Sequence, residues 1–463
     1  MSTPPPSTGA TSSSASAPAA APAAEPAAAP AASAARPAAD AASAANPASA
    51  ATATGDAGQP PGFARWVAAF RAEARAAGIG EATLAAALDE VRYLPQVVAA
   101  DRAQPEFTRP VWAYLDSAVT PQRVAQGQAR LAQYRAEADA AVARYGVPAA
   151  TIVAIWGVES NSGGNYGSTP TIDALATLGF DGRREAWARG QLLAALKILQ
   201  SGDIARAQMV GSWAGAMGQT QFLPSVYLAH AVDADGDGRR DIWGSMADVM
   251  ASTASFLARS GWQPGQPWGT EVRLPAGFDP ARADPALRQS SAQWAAEGVT
   301  GMPSGEPLPE LPDAAILQPA GARGPAFLVG ANFRAVLRYN NSTSYALTVS
   351  LLAQRLADGP GVQAAWPREL QLPSRSQMLA LQTALNARGF DSGTPDGLMG
   401  PATRDALRRY QRSLGLPADG YPTLDLLQRL QAPAPGRARA PAARRVPGGC
   451  RAQRRYGLSG RSS

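Results

Sequence analysis

The sequence is nearly empty of the side chains on which nucleophilic and metal-centred catalysis usually rests. Its 463 residues include one cysteine, Cys450, and one histidine, His230. No intrachain disulfide can form. A Ser-His-Asp triad would need His230, and a zinc site with two or more histidines is excluded. No run of 18 uninterrupted apolar residues occurs, so a membrane-spanning helix is not expected. Acidic residues are absent from Arg437 to Arg461, where eight arginines stand; taking those from the formal net charge of +6 leaves −2 for the rest. The basic balance therefore belongs to the tail, and a slightly acidic remainder argues against nucleic acid as a partner. What is left for chemistry is carboxylate, Tyr, Asn, Gln, Ser and Arg. Carboxylates serving as acid and base point towards glycoside cleavage.

Apolar residues make up 46% of the chain, enough for a sizeable core, and the length suggests two domains with a further small module. Residues 1–61 are almost all Ala, Pro, Ser, Thr and Gly, a composition that buries too little surface to offset chain entropy, and they read as a disordered linker. They show no basic start followed by an apolar core, so no signal peptide is visible. Either export uses something else or the true start lies upstream of Met1.

From Phe63 onward the pattern is helical. Phe63, Trp66, Val67 and Phe70 share one face. Thr120-Pro121 reads as an N-cap and first-turn proline opening a run through Val124, Leu131, Tyr134, Ala138, Val142 and Tyr145, stopped by Gly146. Pro148 opens another helix, AATIVAIWGVES, apolar nearly all round and so expected to be buried. Residues 183–200 predict a further helix. The stretch 265–330, rich in Pro and Gly, predicts a few strands and loops around runs such as AFLVG, and helices resume near Asn332 as far as Leu356. After a linker at 359–369, residues 370–431 predict three short helices, with Asp396-Gly397 and Asp419-Gly420 as the turns between them. Residues 432–463 read as a basic disordered tail.

Four constellations carry chemistry. Glu159 ends the buried helix beside Trp156 and Val158; loss of solvation should raise its pKa, as a general acid at neutral pH requires. GSWAGAMGQTQFLPS, residues 211–225, combines glycines that permit close backbone approach with Ser212, Gln219 and Gln221 as hydrogen-bonding groups for a polar ligand; tight helix packing would explain it as well. DADGDGRRD places Asp233, Asp235 and Asp237 at alternating positions with Gly238 sixth, the opening of an EF-hand-type calcium loop. The carbonyl of Arg239 would be the seventh-position ligand. The twelfth position is Gly244, so a closing carboxylate must come from elsewhere, and Asp248 is the nearest. RYNNSTSYA supplies Tyr339, Asn340 and Tyr345, either a sugar-binding cluster or a helix cap with core tyrosines.

Taken together and in this order, the four resemble the membrane-bound lytic murein transglycosylase B family (glycoside hydrolase family 103) over about residues 62–358. The resemblance implies a mainly α fold, a lysozyme-like catalytic core with a small β-containing insertion, followed by a separate three-helix module. It implies Glu159 as the catalytic residue, with substrate contacts at Arg183, Arg184, Ser212, Met217, Gln221, Phe222, Tyr339, Asn340 and Tyr345. It implies a structural calcium ion held by Asp233, Asp235, Asp237, Arg239 and Asp248, and no organic cofactor. Two departures stand out: Asp248 needs a loop one residue longer than the family pattern, and Phe256 stands where a substrate-site tyrosine can occur. LQTALNARGF and DGLMGPATRDALRRYQRSLGLPADG resemble the peptidoglycan-binding-like three-helix domain.

The implied activity is cleavage of the bond between N-acetylmuramic acid and N-acetylglucosamine in peptidoglycan, leaving 1,6-anhydro ends, by a monomer in the periplasm or cell envelope. Membrane association would rest on an anchor not visible in this sequence. The alternatives are a muramidase that uses water on the same bond, and an inert wall-binding scaffold.

Overall fold

The computed structural model describes residues 59–103, 109–303 and 305–432. The tail and nearly all of the N-terminal segment read as disordered lie outside those residues. Helix α1 (Phe63–Ala76) buries Phe63, Val67, Phe70 and Ala74 at three- and four-residue spacing. It is followed by α2 (Glu81–Leu88), α3 (Pro95–Arg102) and α4 (Val111–Ala118). Helix α5 (Pro121–Gln133) starts as the sequence predicts, with the Thr120 hydroxyl accepting the Arg123 N–H and Pro121 in the first turn. The single run expected from Val124 to Tyr145 is two helices. The backbone breaks at Tyr134, whose ring meets Trp156 edge-on at 5.7 Å, and α6 (Arg135–Tyr145) continues to a left-handed Gly146.

Helix α7 (Ala149–Ser160) is the axis of the core. Residues 151–157 are all buried, and the helix packs against α5, α6 and the later α11 and α14. Strand β1 (Thr169–Pro170) and α8 (Thr171–Asp181) follow. Helix α8 goes beyond the sequence reading and is buried over nearly its whole length. Next come α9 (Glu185–Ser201), β2 (Val210–Gly211), α10 (Pro224–His230) and α11 (Met246–Arg259). Among the described residues no single helix is long and apolar enough to cross a membrane.

The expected strands lie between 265 and 330. They are β3 (Gly269–Arg273), β4 (Thr300–Gly301), β5 (Ala315–Leu317) and β6 (Ala326–Val329), antiparallel in the order β4-β3-β6-β5, with α12 (Ser291–Ala296) covering one face. On β6 the side chains alternate. Ala326 and Leu328 join a small core with Trp294, while Phe327 and Val329 face the main core. Both faces are buried, which is why AFLV shows no polar alternation. Helices α13 (Ala331–Tyr339) and α14 (Thr343–Leu356) return the chain to α7.

The segment 359–369, read as a linker, is a packed strap. The Glu271 carboxylate accepts the N–H groups of Gln363 and Ala364 at 2.7 and 2.8 Å, Arg368 pairs with Asp116 at 2.6 Å, and Trp366 lies against Trp112 and Phe327. The last unit holds α15 (Arg375–Ala387), α16 (Pro401–Ser413) and α17 (Leu424–Gln431) around Leu381, Leu385, Leu407, Tyr410 and Leu427. Each Asp-Gly turn is organised by a buried glutamine from the helix before it. Gln382 accepts the N–H groups of Asp396 and Gly397, and Gln411 accepts that of Gly420.

Candidate active site

Glu159 occupies the last turn of α7, where the helix ends in left-handed Asn161 and Ser162. The residue keeps partial access to solvent, while burial of its carboxyl pushes the pKa up to about 7. One hydrogen bond opposes that shift: the Tyr345 hydroxyl donates to Glu159 Oε1 at 2.6 Å. Tyr345 is placed by the start of α14, where the Ser342 hydroxyl accepts its N–H. The phenol itself is pushed well above its ordinary range, first by burial and then by the Glu159 charge, so it remains a donor. This is the arrangement a general acid needs, a carboxyl protonated near neutrality and oriented by a fixed partner.

The glycine-rich segment and the RYN stretch meet beside this carboxyl. Tyr339, at the end of α13, donates its hydroxyl to the Thr220 carbonyl at 2.7 Å. Its ring lies 6.5 Å from that of Tyr345, nearly parallel, and 5.7 Å from Phe222. Met217 is fully buried and its N–H donates to the Phe222 carbonyl at 2.8 Å, closing a tight loop. Gln221, with φ of 53°, donates through its amide to the carbonyls of Tyr166 and Gly218. The Ser212 hydroxyl accepts the Ala216 N–H, and Asn340 is buried at the turn into α14. Phe256 fills the space between Phe222 and Tyr339, at 5.8 and 4.7 Å, as an apolar wall with no hydroxyl to offer.

Some sequence candidates lie elsewhere or are already engaged. Arg183 and Arg184 both reach buried Asp101, the first at 2.5 Å, and Arg184 also lies 3.8 Å over the Trp187 ring. They border a separate cavity of about 570 Å³ formed by Gly182–Trp187 and Arg189, and neither bonds to Glu159. Gln219, read as a ligand-facing amide, is consumed at both ends. Its Oε1 accepts the Trp156 indole N–H at 2.8 Å and its Nε2 donates to the Trp243 carbonyl at 2.7 Å. Two neighbours of the site carried no signal in the sequence. Tyr114 on α4 feels the Glu159 charge and, mainly through burial, is pushed up to about 12. Arg123 donates to the Gly157 carbonyl at 3.3 Å. Both belong to helices far from Glu159 in sequence, and no local pattern marks them.

In the acidic loop Asp233, Asp235 and Asp248 bring carboxylate oxygens within 4.8 Å of one another. Asp248, the first-turn residue of α11, is fully buried. Burial and the charges of Asp235 and Asp233 push its pKa up to about 6. The Asp237 carboxylate instead accepts the Arg239 N–H at 2.8 Å and does not join the cluster. The donor set is all oxygen and suits a hard divalent cation.

A transglycosylase SLT domain model matches residues 62–354, and a peptidoglycan binding domain model matches 374–430. The chain is 35% identical over 251 residues to membrane-bound lytic murein transglycosylase B of Escherichia coli K12, covering 53% of this chain and 66% of that protein, just under two thirds of its length. SltB3 of Pseudomonas aeruginosa, solved with NAG-anhNAM-pentapeptide, is 53% identical with a TM-score of 0.77, covering 81% of this chain and all of that one. Slt35 of Escherichia coli, a lytic transglycosylase solved with calcium, is 31% identical with a TM-score of 0.54, covering 65% and 95%. By the span of the matched domain and by these likenesses, the chain belongs to the transglycosylase SLT-domain family.

Proposed function

We propose that this protein is a lytic transglycosylase of peptidoglycan, cleaving the β-1,4 bond between N-acetylmuramic acid and N-acetylglucosamine. The observation that carries the reading is the lone half-buried carboxyl of Glu159, proton-bearing near neutrality and held by Tyr345. Protonated Glu159 donates to the glycosidic oxygen as the C1–O bond breaks. Among the described residues no second carboxylate shifts its pKa, so the sugar's own N-acetyl group would stabilise the cation, outside the usual two-carboxylate scheme. Glu159, now a base, takes the proton of the muramoyl C6 hydroxyl, whose oxygen closes on C1. The product is a 1,6-anhydro end, with no water consumed. Tyr339, Tyr345, Phe222, Met217, Gln221, Ser212 and Asn340 would line the sugar site, and Arg183 and Arg184 would contact more distant parts of the polymer.

Mass spectrometry of fragments released from purified sacculi tests this directly. Ends lighter by one water are expected; reducing ends would make the protein a muramidase with Glu159 activating water, and no release from folded protein would leave only a scaffold.

The site of action would be the cell envelope, where the polymer lies. The three-helix unit would hold the enzyme on it. Removal of residues 370–463 should weaken retention on sacculi while cleavage of soluble glycan persists, and unchanged retention would remove the unit from this role.

Asp233, Asp235 and Asp248 would hold calcium as a structural ion, relieving the repulsion that adds to burial in raising the Asp248 pKa. Added calcium is expected to raise the melting temperature and a chelator to lower it, with the response lost in Asp248→Ala. An unresponsive wild-type protein would refute the site.

A further inference from the structure

We propose that Gln219 is the positioning residue for Glu159, its buried amide tying the helix that carries the carboxyl to the segment 241–244 that closes the acidic loop. The inference rests on Glu159 being the acid. Trp156 stands three residues before Glu159 on α7, so the two side chains are neighbours along one side of the helix. Its indole N–H donates to Gln219 Oε1 at 2.8 Å, and Gln219 Nε2 donates to the Trp243 carbonyl at 2.7 Å. The backbone repeats the join, with the Gln219 N–H donating to the Ile242 carbonyl at 2.8 Å.

The far anchor is itself fixed. Asp241 Oδ1 accepts the N–H groups of Trp243 and Gly244, both at 2.8 Å, and Asp248 accepts the Asp241 N–H at 2.6 Å. The near end is closed by the turn that follows the catalytic helix. Gly163 has φ of +80°, and a Cβ there would lie 2.4 Å from Gln219 Oε1. Glycine at that position lets the turn after Glu159 close on the same amide. Each end of the amide is tied into a buried bond, and these bonds hold the last turn of α7 in place. Among the described residues Tyr345, Tyr339, Tyr114 and Arg123 are titratable groups beside this turn; Tyr345 bonds to Glu159, Tyr339 to the Thr220 carbonyl and Arg123 to the Gly157 carbonyl, while within the turn the Ser160 hydroxyl donates to the Trp156 carbonyl.

The test compares full-chain Gln219→Met, which keeps the volume and removes both bonds, with Trp156→Phe, which keeps an aromatic ring and removes the donor together with part of the indole's volume. In each, kcat should fall about tenfold to a hundredfold for a displaced catalytic group. KM should stay within about twofold, since ground-state binding is untouched. The alkaline limb of the kcat profile should move to lower pH as the carboxyl gains solvent. The double variant should be no worse than the more damaged single one, because the bond lost in Trp156→Phe is already lost in Gln219→Met. Wild-type kcat with an unmoved limb in both variants would overturn the proposal, as would a raised KM with an unmoved limb. The underlying assignment fails separately, through activity retained in Glu159→Gln.

Discussion

Glutamine in place of Glu159 removes glycan cleavage and, above neutral pH, makes the protein more stable than the wild type. A positioned acid or base is worth about 10²–10⁴ in rate. With one carboxyl proposed for both steps, a loss of about 10³-fold or more is expected. The stability change follows from the same carboxyl. In the folded protein it keeps its proton up to about 7, against an ordinary value of 4.5. Below pH 4.5 both folded and unfolded states hold the proton and the group is neutral in effect. Between 4.5 and 7 only the folded state holds it, so stability falls as pH rises, and above 7 the full penalty of up to about 3 kcal/mol is present. Glutamine carries no such penalty and can still accept the Tyr345 hydroxyl. Melting curves of the two proteins should therefore coincide at pH 4 and separate by a few degrees at pH 8, the variant higher. Wild-type cleavage would place the acid elsewhere; a variant less stable at pH 8 would show that the carboxyl is not desolvated. Activity of the wild type should decline as pH rises through about 7.

Alanine at Gly211 is the most damaging single methyl group expected in the catalytic unit. Strand β2 brings Gly211 against Thr169 on one side and Met217 on the other. A Cβ there would lie 1.9 Å from the Ala216 carbonyl oxygen and 2.9 Å from Met217 Cα, both backbone atoms that cannot turn aside. The loop 212–216 would have to open, breaking the bond from the Ser212 N–H to the Ala216 carbonyl. Overpacking of this kind costs about 3 kcal/mol, a drop of several degrees in melting temperature, with activity lost through the displaced Ser212 and Met217. Gly190 is the matched control. It lies exposed in α9 with nothing within 4 Å of an added Cβ, so alanine there should stabilise by about 0.5–1 kcal/mol. Equal effects at the two positions would contradict the close approach at Gly211.

How much could be read beforehand depended on whether the signal was local. The buried helix ending in Glu159, the capped start at Thr120 and the two Asp-Gly turns are written in consecutive residues, and the structure has them. Asp248 as the partner of Asp233 and Asp235 was also legible, because a calcium-type loop lacking its closing acid leaves few candidates. The break at Tyr134 was not, since it answers to Trp156 on another helix. Nor was the fate of Gln219: an amide in a glycine-rich segment looks available until its two partners, Trp156 and Trp243, arrive from distant parts of the chain. The strap at 359–369 was read by its prolines and glycines, while its attachment depends on Glu271 and Asp116, far off in sequence.

Glu159 is the next-to-last residue of α7, and that position has an electrostatic consequence. Aligned peptide dipoles give a helix a partial negative charge at its C-terminal end, worth roughly 0.3–1 kcal/mol to a nearby charge. At the opposite end of the same helix a carboxylate would be encouraged to ionise; here the field of the backbone favours the neutral acid. The proton affinity of Glu159 therefore comes from exclusion of water and from the direction in which its helix runs, with no neighbouring carboxylate among its causes.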